Sequence, residues 1–260
     1  ATGSGYNDFS CKPSTAHPRP VILIHGTIMI KESWAIWGPI IAEAGYCVFS
    51  VTHGLHYRSN KAFGGLSSIP DNAKEVGSFI DEILAITGTK QVDVVGHSQG
   101  GVLARYWSRY QGGAGKISRM IGISPVTHGA TLSGIETLAR AIGLREFSRA
   151  SLDLAAPALM QMVTDSEFMK KLNDHGDTLP GVFQANIVTK FDEIVTPYQS
   201  GFQTGPSVVN EELQKLCIWD HSEHLMITNS LVALRWTLNQ LDPSTEKPAN
   251  CFPVFIPGGR

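Results

Sequence analysis

Residues 92–101 read "VDVVGHSQGG". Val92, Val94 and Val95 form an apolar run of buried-strand type, and Gly96-His97-Ser98-Gln99-Gly100 fits the pattern G-x-S-x-G. A helical stripe follows, carrying Val102, Leu103, Tyr106 and Trp107. A strand, a sharp turn and a helix are the setting in which a serine at the turn is presented as a nucleophile. Glycine at 96 and 100 is expected because a Cβ at either place would collide with the neighbouring strand and helix. The helix amino terminus, with its unpaired N–H groups and positive dipole end, would lie beneath Ser98.

Working outward, other buried-strand runs are "VILIHG" (21–26), "YCVFSVTHG" (46–54), "RMIGISP" (119–125), "FQANIVTKFD" (183–192) and a shorter "LCIWDHS" (216–222). Helical patterns alternate with them at 35–44, 70–87 and 225–241, the second opening on Pro70 and followed by Gly88. This alternation predicts a mostly parallel, six-stranded sheet with helices on both faces. Right-handed crossovers then gather every strand's carboxyl end on one edge, where sites form in such sheets. The interval between the fourth and fifth runs exceeds what one crossover helix needs. Within it, "LSGIETLARAIGL" and "APALMQMVTDSEFMKKL" are both amphipathic. We expect one domain spanning 1–260, with a helical cap or lid inserted at about 131–180.

A serine hydroxyl needs a base, and the base an orienting carboxylate. In this architecture the chain order is Ser, acid, His. Of nine histidines, His17, His25, His53, His56 and His97 precede Ser98, His128 falls at the exit of the fourth strand, and His175 lies in the insertion. His221 and His224 in "DHSEHLMI" remain, and His224, adjoining the apolar Leu-Met-Ile stretch, is the expected base. For the acid, "KFDEIVTP" offers Asp192 at the end of the fifth strand, with Glu193 as the rival that alternation turns away. The backbone N–H groups of Gln99, after the nucleophile, and Thr27, after "VILIHG", are the expected oxyanion-hole donors. Leu132, Ile135, Leu138, Leu154, Leu159, Met160, Met162 and Phe168 could line an acyl pocket, Leu132, Ile135, Leu159 and Met160 being the chosen substrate contacts.

The 260 residues suffice for a sizeable core without metal staples. Net charge is −2, with 17% charged residues and no basic excess, which argues against nucleic acid as a partner. No apolar run is long enough to span a bilayer, so no stable membrane insertion is expected. Four cysteines, Cys11, Cys47, Cys217 and Cys251, include no C-x-x-C pair. Buried free thiols are one reading; two disulfides in a secreted chain whose leader has been removed is the preferred one. Three pairings are open, and 11–47 with 217–251, which ties each terminus to the core, is the one expected.

The motifs "PRPVILIHGT…W", "GYCVFSVTHG", "VDVVGHSQGG" and "EHLMI" together resemble the α/β-hydrolase superfamily. More narrowly they are similar to the secreted bacterial class 2 lipases, the actinobacterial triacylglycerol lipase and esterase type. The similarity runs from about Cys11 to Leu241. It implies an acyl-serine mechanism on lipophilic esters at a possible lipid–water interface, with Ser98, Asp192 and His224 as triad and Thr27 and Gln99 as oxyanion hole. Two-step ester hydrolysis of this kind needs no metal or organic cofactor, and we expect a monomer. About twenty residues precede the first strand, so the two leading strands of larger relatives should be missing. A short-chain, polyester or sterol esterase or an acyltransferase would need the same residues. A serine peptidase or amidase, or a non-catalytic binding protein on the same fold, is the more distant alternative.

Overall fold

A computed structural model describes residues 6–57, 61–144 and 148–252. Six strands form one parallel sheet: β1 (Val21–Ile24), β2 (Val48–Val51), β3 (Val92–His97), β4 (Ile117–Ile123), β5 (Phe183–Val188) and β6 (Val209–Glu212), in the order β2-β1-β3-β4-β5-β6. Strands β1 and β3 are buried throughout, as expected for a sheet covered on both faces. The chain leaves β1 for β2 on one side and then returns to place β3 on the other. The order reverses there, so the carboxyl ends of β1 and β3 flank the crevice where open α/β sheets bind ligands.

The helices α1 (Trp37–Glu43), α2 (Ile69–Thr87) and α3 (Gly100–Tyr110) agree with the sequence pattern to within two residues. Ser68 caps α2 by accepting from Asp71 N–H, Pro70 sits in its first turn, and Gly88 ends it in a left-handed conformation at φ 68°. One apolar layer packs Ile69, Val76, Ile80 and Ile83 of α2 and Leu103 of α3 on Ile22, Ile24 and Val94 of the sheet. The opposite layer packs Trp34, Trp37 and Ile41 with Val21, Leu23, Val95 and Ile121, closed by α9 (Leu231–Leu241). The last helical segment is divided. A 3-10 turn at Met226–Asn229 precedes Ser230, which caps α9 by accepting from Ala233 N–H.

The sixth strand is a correction. It was expected at 216–222, but that stretch follows a short helical turn, α8 (Leu213–Leu216), and the strand is "VNEE" at 209–212. An edge strand pairs on one side only and is partly exposed here, so no apolar run announces it. Conversely, Ile218 and Trp219, which made 216–222 look buried, are 64% and 56% exposed.

The insertion contains α4 (Leu132–Ala141), α5 (Arg149–Ala155), α6 (Pro157–Gln161) and α7 (Glu167–Asn173). The second amphipathic stretch breaks between α6 and α7 because Ser166 caps α7, and Val163 bridges to Ala130. Both disulfides have the expected pairing, Cys11–Cys47 and Cys217–Cys251. Each closes a loop of some 35 residues, worth about 3–4 kcal/mol in the chain-entropy account. Among the described residues no helix is long and apolar enough to cross a membrane, and no group of acidic, His or Cys side chains could hold a metal ion.

Candidate active site

Ser98 follows β3 at φ 54°, a left-handed conformation that costs a residue with a Cβ of order 1–3 kcal/mol. The turn is held by Ser98 N–H donating to Ile123 O, and by Gly101 and Val126 N–H donating to Ser98 O. Glycine is required on both sides. A Cβ on Gly96 would stand 2.2 Å from Gly100 O, and one on Gly100 would stand 2.4 Å from Ile24 O. Close approach of strand, turn and helix is therefore what aims Ser98 at the crevice.

The expected base and acid converge on it. His224 Nε2 lies 2.9 Å from Ser98 Oγ, and His224 Nδ1 lies 2.8 Å from Asp192 Oδ2. The other carboxylate oxygen, Asp192 Oδ1, accepts from Ile194 and Val195 N–H at 2.9 and 2.8 Å. An ionised Asp192 can only accept, so Nδ1 carries the imidazole proton and Nε2 presents its lone pair to Ser98. Burial of His224 disfavours its cation. The charge and hydrogen bond of Asp192, reinforced by Glu193 and Glu223, outweigh burial and raise its pKa above the ordinary value. An imidazole so placed can take the Ser98 proton and be stabilised as it charges.

Glu193, the rival acid, is exposed, and its carboxylate meets the His224 main-chain N–H at 3.4 Å rather than the ring. His221 is also exposed and sits edge-on to Phe191, away from Ser98. His97, beside Ser98, turns away from its hydroxyl; its Nε2–H donates to His224 O at 2.7 Å. Consecutive residues of the turn thus grip the base by its main chain and by its ring.

Thr27 and Gln99 both border the crevice, and their backbone N–H groups make no hydrogen bond to any described residue. The Thr27 loop is braced from beneath by a stacked pair, His25 and His53, with ring centroids 4.0 Å apart. His53 N–H donates to His25 Nε2, so His25 Nδ1–H donates to Gly26 O, while His53 Nε2–H donates to His25 O. All of this is enclosed: Ser98 is 2% and His224 1% exposed.

The insertion straddles the enclosure. Gly134 of α4 packs against Ile194 O beside the candidate acid, and Thr131 bonds Thr196 through both main chain and side chain. On the other flank Thr27 Oγ1 donates to Met162 Sδ at 3.5 Å, and Gln161 Oε1 accepts from Ile69 N–H. Of the expected substrate contacts, Leu132 is half exposed. Ile135, Leu159 and Met160 are buried in the core cluster that joins the insertion to the sheet. Sequence reasoning missed the tie from His97 to His224 and the role of Asn72. The second had a signal, a lone polar residue on the buried face Ile69, Asn72, Ala73, Val76, Ile80 of α2.

Burial, first of all, lowers the pKa of three of these histidines: His25 well below its ordinary value, His53 to about 4 and His97 to about 3. All three fold neutral. Below the ordinary value near 6.5 the unfolded chain takes up protons that the folded chain refuses, so their stabilisation is complete above that pH and lost as pH falls through the folded values. His224 and His128, which Asp177 raises, act in the opposite sense. That opposition acts only above about 6.5, because below it the folded and unfolded chains both hold those two protons, so on acidification from pH 6 to pH 5 the unfolding free energy should fall by up to roughly 4 kcal/mol per pH unit for the three remaining protons. Urea melts at pH 7, 6 and 5 check this; a constant or rising midpoint from pH 6 to pH 5 would contradict it.

An acid, a base and a serine at the switch point of a doubly covered parallel sheet define an α/β-hydrolase, and solved structures of that fold superpose on the chain. Lipase B of Aspergillus fumigatus matches with a TM-score of 0.69 at 23% identity, covering 96% of this chain and 56% of its own. The mature form of Bacillus licheniformis lipase BlEst2 matches at 0.63 and 16% identity, covering 92% of this chain and 99% of its own. The model of the class 2 lipases matches residues 18–237, and the chain belongs to that family. Lipase 3 of Drosophila melanogaster is 32% identical over an alignment of 108 positions that covers 35% of this chain and 27% of that protein. The chain thus spans little more than half of the fungal lipase and about a quarter of the insect one.

Proposed function

We propose that this protein is a serine carboxylic-ester hydrolase acting on lipophilic esters such as triacylglycerols. The observation that carries the proposal is the unbroken hydrogen-bond chain Asp192–His224–Ser98, with ring nitrogens 2.8 and 2.9 Å from their partners. His224 removes the Ser98 proton as Oγ attacks the acyl carbonyl, and the Thr27 and Gln99 N–H groups hold the oxyanion. The imidazolium, oriented by Asp192, protonates the leaving alcohol. Water then repeats the sequence, its proton going to His224, and frees the carboxylic acid. No step calls for a cofactor or metal.

Lipophilic substrates are supported by the family and by the apolar insertion that abuts both the acid loop and Thr27. Residues 131–180 serve as a cap over the enclosed serine within one domain, and Leu132, Ile135, Leu159 and Met160 shape or support its inner face. Two disulfides favour an extracellular site of action, and the chain works as a monomer at a lipid–water interface. A fluorophosphonate should label Ser98 stoichiometrically, and a non-catalytic hydrolase-fold protein would stay unlabelled. p-Nitrophenyl esters from C2 to C18 test the substrate class. Rates that hold or rise beyond C8 are expected, whereas a sharp preference for C2–C4 would replace the lipase reading with a short-chain esterase.

A further inference from the structure

The side chain of Gln99 joins the two segments that supply the candidate oxyanion donors. Its Nε2 donates to Thr27 Oγ1 and to Gly65 O, each at 2.8 Å, and its Oε1 accepts from Asn72 Nδ2 at 2.7 Å. Gly65 O can only accept, which fixes the orientation of the Gln99 amide. Asn72 is fixed in turn, because its Nδ2 also donates to Ser67 O at 3.0 Å, leaving Asn72 Oδ1 buried without a partner. Gln99 and Asn72 are both 0% exposed. An amide that forgoes one buried acceptor, on an otherwise apolar helix face, is held there by what its NH2 group orients.

The same group reaches further into the loops. Gly65 and Ser67 lie in the segment entering α2, whose backbone bonds run to Met29 through Gly64 and to His53 and Gly54 through Gly65, Leu66 and Ser67. A Cβ on Gly65 would stand 2.8 Å from Thr27 Cα, so this segment is the floor of the Thr27 loop. The Gln99 side chain is thus a strut between the two segments, its amide held at one end by Gly65 O and at the other by Asn72 Nδ2. Donors preset toward developing charge act in the transition state, and small misplacements of them cost rate rather than ground-state binding.

We infer that Asn72 is a positioning residue for ester hydrolysis: it orients the Gln99 side chain and thereby fixes the two oxyanion donors relative to each other. The inference rests on the proposed hydrolase reading. Its test is a double-mutant cycle on purified protein with a soluble ester, using Asn72→Leu, Gln99→Leu and the pair, with Asn72→Asp as a volume-conserving second variant. In Asn72→Asp the group facing Gln99 Oε1 and Ser67 O has at most one hydrogen to give, so the paired donation that holds the Gln99 amide is lost. Each single variant should lower kcat about tenfold or more with KM within twofold, and the double variant should fall no further than the worse single. Inhibition by a trifluoromethyl ketone, which forms the oxyanion on Ser98, should weaken in step with kcat. A purely structural Asn72 would lower the melting temperature and leave kcat and inhibitor affinity of the folded fraction unchanged, overturning the inference, as would fully additive effects. If Asn72→Leu does not fold, Asn72→Asp carries the same comparison. Should wild type hydrolyse no ester, or Ser98→Ala hydrolyse as well as wild type, the hydrolase reading itself fails and takes this one with it. A wild type active through Ser98 with an indifferent Asn72 overturns this inference alone.

Discussion

Ser98→Ala is expected to lower kcat for ester hydrolysis by about 10⁵–10⁶. Losing the nucleophile removes the acyl intermediate, and the remaining hydrogen-bond donors and binding contacts give only residual catalysis over water. Survival of more than a thousandth of wild-type activity would mean that Ser98 is not the nucleophile. The fold should not confuse the result. Ser98 sits at φ 54°, and alanine bears that conformation with the same Cβ penalty. Ser98→Gly separates the two roles further: it should lose as much activity, yet be more stable than Ser98→Ala by about 1 kcal/mol because the strain is released. Thermal melts of the two variants beside their rates make this comparison. The left-handed serine is thus stability spent on presenting Oγ to the crevice.

That geometry explains why the candidate site is so legible. The turn needs glycine at 96 and at 100, because backbone atoms lie 2.2–2.4 Å from where each flanking Cβ would be. Chain order then narrowed nine histidines to two, and His224 is the one that faces Ser98. The run expected at 183–192 pointed to Asp192 at its end; β5 stops at Val188, and Asp192 stands in the loop that follows, still on the carboxyl edge of the sheet. Where burial relaxes, legibility fails. The edge strand "VNEE" needs no apolar run, while Ile218 and Trp219 are apolar and exposed, so hydropathy points to the wrong segment. The insertion obeys local capping, Ser148 and Ser166 starting α5 and α7, which periodicity alone does not resolve. Contacts between distant loops leave the faintest trace. The network through Asn72, Gln99 and Thr27 joins residues far apart in sequence, and only the polar interruption on the face of α2 hints at it.

The hydrogen bonds of Asp192 lead to the other large effect. Asp192→Asn is expected to lower kcat about 10⁴-fold near neutral pH while leaving the melting temperature nearly unchanged. Asp192 Oδ1 is bound by the N–H groups of Ile194 and Val195, so an asparagine keeps its carbonyl oxygen there and turns its NH2 toward His224 Nδ1. A donor facing Nδ1 forces the ring to accept at that nitrogen, which moves the proton to Nε2, opposite Ser98 Oγ. The base then offers a hydrogen where it must offer a lone pair, and proton transfer from Ser98 stops although every atom keeps its place. The pH profile supplies an independent reading. The proposed mechanism requires neutral His224, so kcat/KM should rise with pH through its folded pKa, which Asp192 and its glutamate neighbours hold up against burial. Removing the Asp192 charge must shift the acid limb of the residual activity to lower pH. Glu193→Gln, beside it in sequence but meeting His224 at the main-chain N–H rather than the ring, should cost less than tenfold. If Asp192→Asn lost less than tenfold while Glu193→Gln lost a thousandfold, the acid would be Glu193, and the 2.8 Å contact would be only a structural tie.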